Sequence, residues 1–336
     1  MNEDLIDLTP LNYKIMKINS LTILTRARKL LLWFLLTIVY SWTAITPTIA
    51  QVKKADAQTA IPEVSEEVYQ AIVQFYEYDR NIPLDARIVN KEVFQGADKE
   101  KIVFSGVNHS QVPALLIIPK DGAETHPVVL IVDGMEGYKE RWLQDDSWPL
   151  GGLVTKSLLK SGFAVMICDA VYHGERTYDN GFASPPWPYQ YPYLGRQMII
   201  QTAIEYRRAL DYLSTRTDID NSRIGILGLS MGGMITFELT GIDSRIKSAV
   251  AGLTPSLKEY EFQSFAPSTF ASRINTNSFL MFMGNKDDFY TMKEARQLYE
   301  MIPIKNKGFV EYNTGHEVTA EYVTLVTDWF VKKLKP

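Results

Sequence analysis

The stretch Gly228-Leu229-Ser230-Met231-Gly232 constrains this chain more than any other, because very few backbones accommodate it. Before it, Arg223-Ile224-Gly225-Ile226-Leu227 is largely apolar and β-prone and suits a buried parallel strand. After it, Met234 to Leu239 can continue as a helix. A G-x-S-x-G motif between a strand and a helix is the nucleophile elbow, a sharp turn that lifts the serine hydroxyl clear of the sheet. Glycines flank the turn because a Cβ there would collide across it. The competing reading is a glycine turn with no chemistry, and it needs no partner for Ser230. A base and an acid elsewhere in the chain separate the two readings.

Only one histidine follows the elbow: His316, in Thr314-Gly315-His316-Glu317. It falls after the last predicted strand and before the last predicted helix. In elbow-bearing folds the chain order is nucleophile, acid, histidine, so His316 takes the place of the base. The acid should follow the strand between elbow and histidine, which ends Gly284-Asn285-Lys286-Asp287-Asp288-Phe289. Asp287 is the preferred acid; Asp288 stays open, and both residues also suit a plain turn. An oxyanion hole needs two backbone N–H groups aimed at the developing charge. Met231, next to the serine, supplies one. The turn Asp133-Gly134-Met135-Glu136-Gly137, after the apolar run Val128–Val132, offers Met135 as the other. A loop that merely turns the chain is the alternative there.

Strand and helix patterns alternate from about residue 86. The predicted sheet is mostly parallel and eight-stranded, with antiparallel leading strands and helices on both faces, an α/β architecture. Ahead of it, residues 51–85 read as a linker and one helix, opened by Ser65 with Glu66 and Glu67 in its first turn. Residues 86–336 form the catalytic domain. Residues 1–50 read as a signal peptide or membrane anchor. Arg26, Arg28 and Lys29 precede the apolar core Leu30–Tyr40, and small residues end at Ala50. The protein is therefore expected to be secreted or periplasmic, with membrane attachment through residues 30–46 if that segment is uncleaved. Glu3, Asp4 and Asp7 are unusual ahead of a signal core, and Met16-Lys17 offers a second start. N-terminal sequencing of the exported protein decides among these.

Composition narrows the functions. A formal net charge of -4 provides no basic footprint for nucleic acid. The single cysteine, Cys168, lies in an apolar run, so it reads as an inert buried thiol. The four histidines are scattered, so no metal site and no cofactor are expected.

These motifs, together with Asp218-Ile219-Asp220-Asn221-Ser222-Arg223-Ile224-Gly225 and Asp169-Ala170-Val171-Tyr172-His173-Gly174-Glu175-Arg176, resemble the α/β-hydrolase superfamily. The resemblance is to the branch shared by dienelactone hydrolases, acetyl xylan esterase-like enzymes and prolyl oligopeptidase-type domains, and it covers residues 75–335. It implies an α/β-hydrolase fold and a serine esterase working through an acyl-enzyme on a small-molecule ester. Two departures stand out. Many relatives end the oxyanion strand in His-Gly where this chain has Asp133-Gly134, and dienelactone hydrolases carry a cysteine nucleophile where this chain has Ser230. A serine exopeptidase of the prolyl oligopeptidase type and a catalytically silent envelope binding protein of the same fold are the rival readings. His173 reads as a turn-stabilising or pocket-wall residue. The aromatic and proline-rich segment Tyr178–Tyr193 reads equally as a pocket wall or as packing on the sheet edge, and residues 254–276 are a second candidate rim.

Overall fold

The computed structural model describes residues 61–335. The expected signal or anchor, most of the linker and the Met16 start lie outside the described residues. Among the described residues no helix is long and apolar enough to cross a membrane.

Helix α1 (Glu66–Val73) opens where expected, with the Ser65 hydroxyl accepting from the Val68 N–H. Its aromatic side leans on the rest of the chain. Tyr69 and, just beyond the helix, Tyr76 donate their hydroxyls to the carbonyls of Gly241 and Ser264, at 2.9 Å each. Strands β1 (Arg87–Phe94), β2 (Ala97–Ser105) and β3 (Gln111–Ile118) form an antiparallel leading ribbon. Then β4 (His126–Val132), α2 (Gly151–Lys160), β5 (Ala164–Cys168), α3 (Pro192–Leu213), β6 (Ile219–Leu229) and α4 (Met231–Ile242) alternate. The remainder is β7 (Ile246–Gly252), the short α5 (Pro267–Ala271), β8 (Ser278–Gly284), α6 (Met292–Met301), β9 (Lys307–Tyr312) and α7 (Glu321–Leu334).

One sheet runs β1-β2-β3-β5-β4-β6-β7-β8-β9, with β5, β4 and β6 to β9 mutually parallel. This is the α/β-hydrolase fold, with helices on both faces. The count corrects the sequence expectation: nine strands among the described residues, not eight. The outermost strand, β1, lies where a strand was expected; it is almost wholly exposed and held to the sheet edge by its pairing with β2 rather than by burial. Helix α3 also starts earlier than its apolar stripe suggests, because Pro192 fits the first turn, where no N–H is needed.

The central strands are buried on both faces, so their apolar runs split by alternation. Val128, Leu130 and Val132 pack with α3 and α4, while Val129 and Ile131 pack with α2 and α7. Tyr206 of α3 binds the ends of β4 and β5 together. Its hydroxyl donates to the Ile131 carbonyl at 2.5 Å and accepts from the Cys168 N–H at 3.2 Å. Cys168 is buried, and burial pushes its thiol well above the ordinary range, as an inert side chain requires.

Glu238 of α4 breaks the pattern. Both carboxyl oxygens are buried with no partner among the described residues, and burial raises its pKa well above 4.5. The native state thus keeps a proton that the unfolded chain releases. The native state is therefore penalised progressively as pH rises above the unfolded value, by up to about 1.4 kcal/mol per pH unit. Glu238→Met removes that dependence. Its melting temperature is expected to gain on wild type as pH goes from about 5 to about 8; a gain independent of pH would mean the carboxyl is not held protonated.

Candidate active site

The carboxyl ends of the parallel strands carry the site. Ser230 sits between β6 and α4 at φ 55°, ψ -116°, a strained conformation for a residue with a side chain. Its N–H donates to the Gly252 carbonyl at the end of β7, 2.9 Å away, which pins the turn to the neighbouring strand. A Cβ at Gly228 would run into the Gly232 carbonyl, and one at Gly232 into the Val132 carbonyl. The elbow glycines are thus required by contact between β6, α4 and the end of β4.

His316 lies in the loop between β9 and α7, and Asp287 in the loop between β8 and α6. The two loops are stitched by Asn285 N–H to the Tyr312 carbonyl (2.9 Å) and Lys286 N–H to the Thr314 carbonyl (2.8 Å). His316 Nε2 is 2.9 Å from Ser230 Oγ, and His316 Nδ1 is 2.6 Å from Asp287 Oδ2. The Asp287 side chain is fully buried, and its other oxygen accepts the Phe289 N–H at 2.9 Å. Asp288 is exposed and joins neither residue. Because Asp287 is a carboxylate acceptor, Nδ1 carries the proton and leaves the Nε2 lone pair facing the serine.

The imidazole is flanked by rings. Trp148 stacks on one side, with centroids 5.8 Å apart, and Phe289 lies 4.5 Å away on another. The Trp148 indole N–H also donates to the His316 carbonyl at 3.1 Å. Arg141 lies over Trp148 at 5.5 Å and grips both oxygens of Asp133, at 2.6 and 2.9 Å. The unusual Asp133 is therefore turned into a buried ion pair, where burial holds its carboxyl above the ordinary range against the pull of Arg141. It also accepts the Gly134 N–H at 2.7 Å, which ties down the turn ahead of Met135. Sequence reading missed Arg141 and Trp148. The one signal was Asp133 itself, a carboxylate at the end of a buried strand and in need of a cationic partner.

A second buried network, Lys139 with Asp169 at 2.7 Å, braces the turn after β4 against the loop after β5. Met135 and Met231 both lie beside Ser230, and Met231, as the first residue of α4, has an N–H with no helical acceptor. His173 stands apart from this constellation. Its Nδ1 donates to the Val171 carbonyl at 2.7 Å, its Nε2 is buried without a partner among the described residues, and burial pushes its pKa down to about 4. It is neutral at pH 7 and serves the turn. Among the described residues no His, Cys, Asp and Glu cluster is arranged to hold a metal.

Ser230 opens onto two cavities. A tight one of about 30 Å³ is apolar, lined by Met135, Tyr189, Met231, Met234, Leu257 and Phe289 among others. The other, about 250 Å³, is reached by His316 and by Glu136, Arg141, Trp148 and Trp187. The aromatic segment is therefore a pocket wall: Trp187 stacks on Phe289 at 6.0 Å and borders both cavities. The 254–276 rim contributes Pro255 and Leu257 to the tight cavity.

Residues 80–285 match the profile of the acetyl xylan esterase (AXE1) family. A putative hydrolase of Bacillus subtilis, YtaP, is 26% identical over 175 residues, 49% of this chain and 58% of that protein. The chain thus spans little more than half of that relative's length. Among solved structures, acetyl xylan esterase 1 from Thermoanaerobacterium superposes with a TM-score of 0.65 at 17% identity, over 83% of this chain and 96% of that one. The acetyl xylan esterase from Paenibacillus gives 0.63 at 17% identity, over 82% and 97%. At such identities the superpositions speak for the fold.

Proposed function

We propose, for a chain that belongs to the acetyl xylan esterase (AXE1) family, a serine esterase that removes short acyl groups from a larger, saccharide-class alcohol through an acyl-enzyme. The observation that carries this reading is the pair of contacts from His316, 2.9 Å to Ser230 Oγ and 2.6 Å to Asp287. Ser230 Oγ attacks the ester carbonyl while His316 Nε2 takes its proton. Asp287 compensates the imidazolium, and the N–H groups of Met231 and Met135 receive the oxyanion. Collapse breaks the bond to the alcohol oxygen, which leaves with the proton from His316. Water then attacks the acyl-enzyme, His316 taking its proton and returning it to Ser230 as the acid departs.

The two cavities support a reading of where the two halves of the ester lie. The alcohol must depart beside the proton it receives, so it occupies the cavity bordered by His316. The acyl group takes the tight apolar cavity, the smaller of the two beside Ser230. Turnover of p-nitrophenyl esters is expected to fall at least about tenfold from acetate to butyrate, since forcing extra methylenes into a packed site costs about 1–3 kcal/mol. Equal kcat/KM for acetate and hexanoate would remove the acyl assignment.

A further inference from the structure

Glu136 follows Met135 directly, yet the ester chemistry gives it no task. Its φ is 61°, in a region that favours glycine, and it carries a side chain there all the same. Its acidic neighbours are spent: Asp133 on Arg141, and Glu140 and Glu175 on Lys139. Glu136 is exposed and has no hydrogen-bond or ion-pair partner among the described residues.

Its location is specific. Glu136 stands in the wall of the cavity that holds Ser230 and His316, and also in the wall of a larger one of about 690 Å³. That outer cavity is lined further by Tyr138, Tyr172, Thr177 and Phe182. The shared wall lies on the His316 side, where the alcohol departs. An alcohol too large for the inner cavity can extend past this carboxylate into the outer one.

We propose that Glu136 reads the alcohol half of the ester. Its carboxylate accepts hydrogen bonds from free hydroxyls of a saccharide, and the remainder of the sugar lies in the outer cavity against Tyr138, Tyr172 and Phe182. The chemistry matches on both counts. A carboxylate is an acceptor only and suits vicinal hydroxyl donors. Tyrosine rings offer apolar faces to the C–H face of a sugar ring and polar tips to its hydroxyls. This assignment rests on the esterase reading and adds the residue that selects the leaving group.

Glu136→Gln tests it, because it keeps the side chain's size and removes the charge that strengthens the hydrogen bonds. The readout is the ratio of kcat/KM for mono-O-acetyl-xylose to that for p-nitrophenyl acetate, which has no hydroxyl to offer. The ratio is expected to fall about tenfold in the variant, through KM, with the melting temperature unmoved. An unchanged ratio would overturn the assignment, and so would equal losses on both substrates. A loss confined to acetylcholine would also overturn it, since the carboxylate would then be reading a cation. If the wild-type protein fails to cleave p-nitrophenyl acetate, the esterase reading fails instead; cleavage with an unchanged ratio sinks only the role of Glu136.

Discussion

Ser230→Ala is expected to lower kcat on p-nitrophenyl acetate by a factor on the order of 10⁴–10⁶, with the fold unchanged. The size follows from the proposed role of the side chain. Without Oγ no acyl-enzyme forms, and only the oxyanion donors and binding remain to assist water. The fold should survive because the hydroxyl's one partner among the described residues is His316 Nε2, whereas the elbow is pinned through the Ser230 backbone N–H. Circular dichroism and the melting temperature should therefore match wild type. A fluorophosphonate probe should add one label to wild type, at Ser230, and none to the variant. Turnover near the wild-type level in Ser230→Ala would end the serine-esterase reading.

Asp287→Asn is expected to reduce kcat by roughly 10²–10⁴, whereas Asp288→Asn should stay within about twofold of wild type. The pair is informative because the two aspartates are adjacent and only one is placed to act. Asp287 is buried against His316 Nδ1 at 2.6 Å, while Asp288 is exposed. An amide at position 287 no longer compensates the imidazolium, and it allows the ring to take the tautomer that turns a proton toward Ser230. KM should change little, since Asp287 lines neither cavity beside Ser230. The reverse ranking would reassign the acid to Asp288.

Much of this arrangement was legible in one dimension. Apolar runs such as Val128–Val132 and Phe279–Met283 announce strands buried on both faces, and such strands need crossover helices. Thr291 and Glu294 form the capping box that starts α6, a local device readable three residues apart. The strand character of the exposed β1 is local too, but its place at the sheet edge is not. Its pairing with β2 depends on backbone hydrogen bonds, which leave little trace in hydropathy.

The site divides the same way. Covalent neighbourhood alone determined the elbow at Ser230, the position of His316 before the last helix, and the choice narrowed to Asp287 or Asp288. Each of these follows from a turn type or from chain order, and both are properties of short stretches. Only the tertiary structure decided which aspartate reaches the imidazole and that Trp148 and Phe289 flank it. It alone brought Arg141 to Asp133, set a tight cavity against a wider one beside Ser230, and left Glu136, with no partner among the described residues, in the wall shared by that wider cavity and an outer one. Those are distances between segments far apart in the chain, set by how side chains fill the space between helices and sheet. No local pattern of residues encodes the volume that remains.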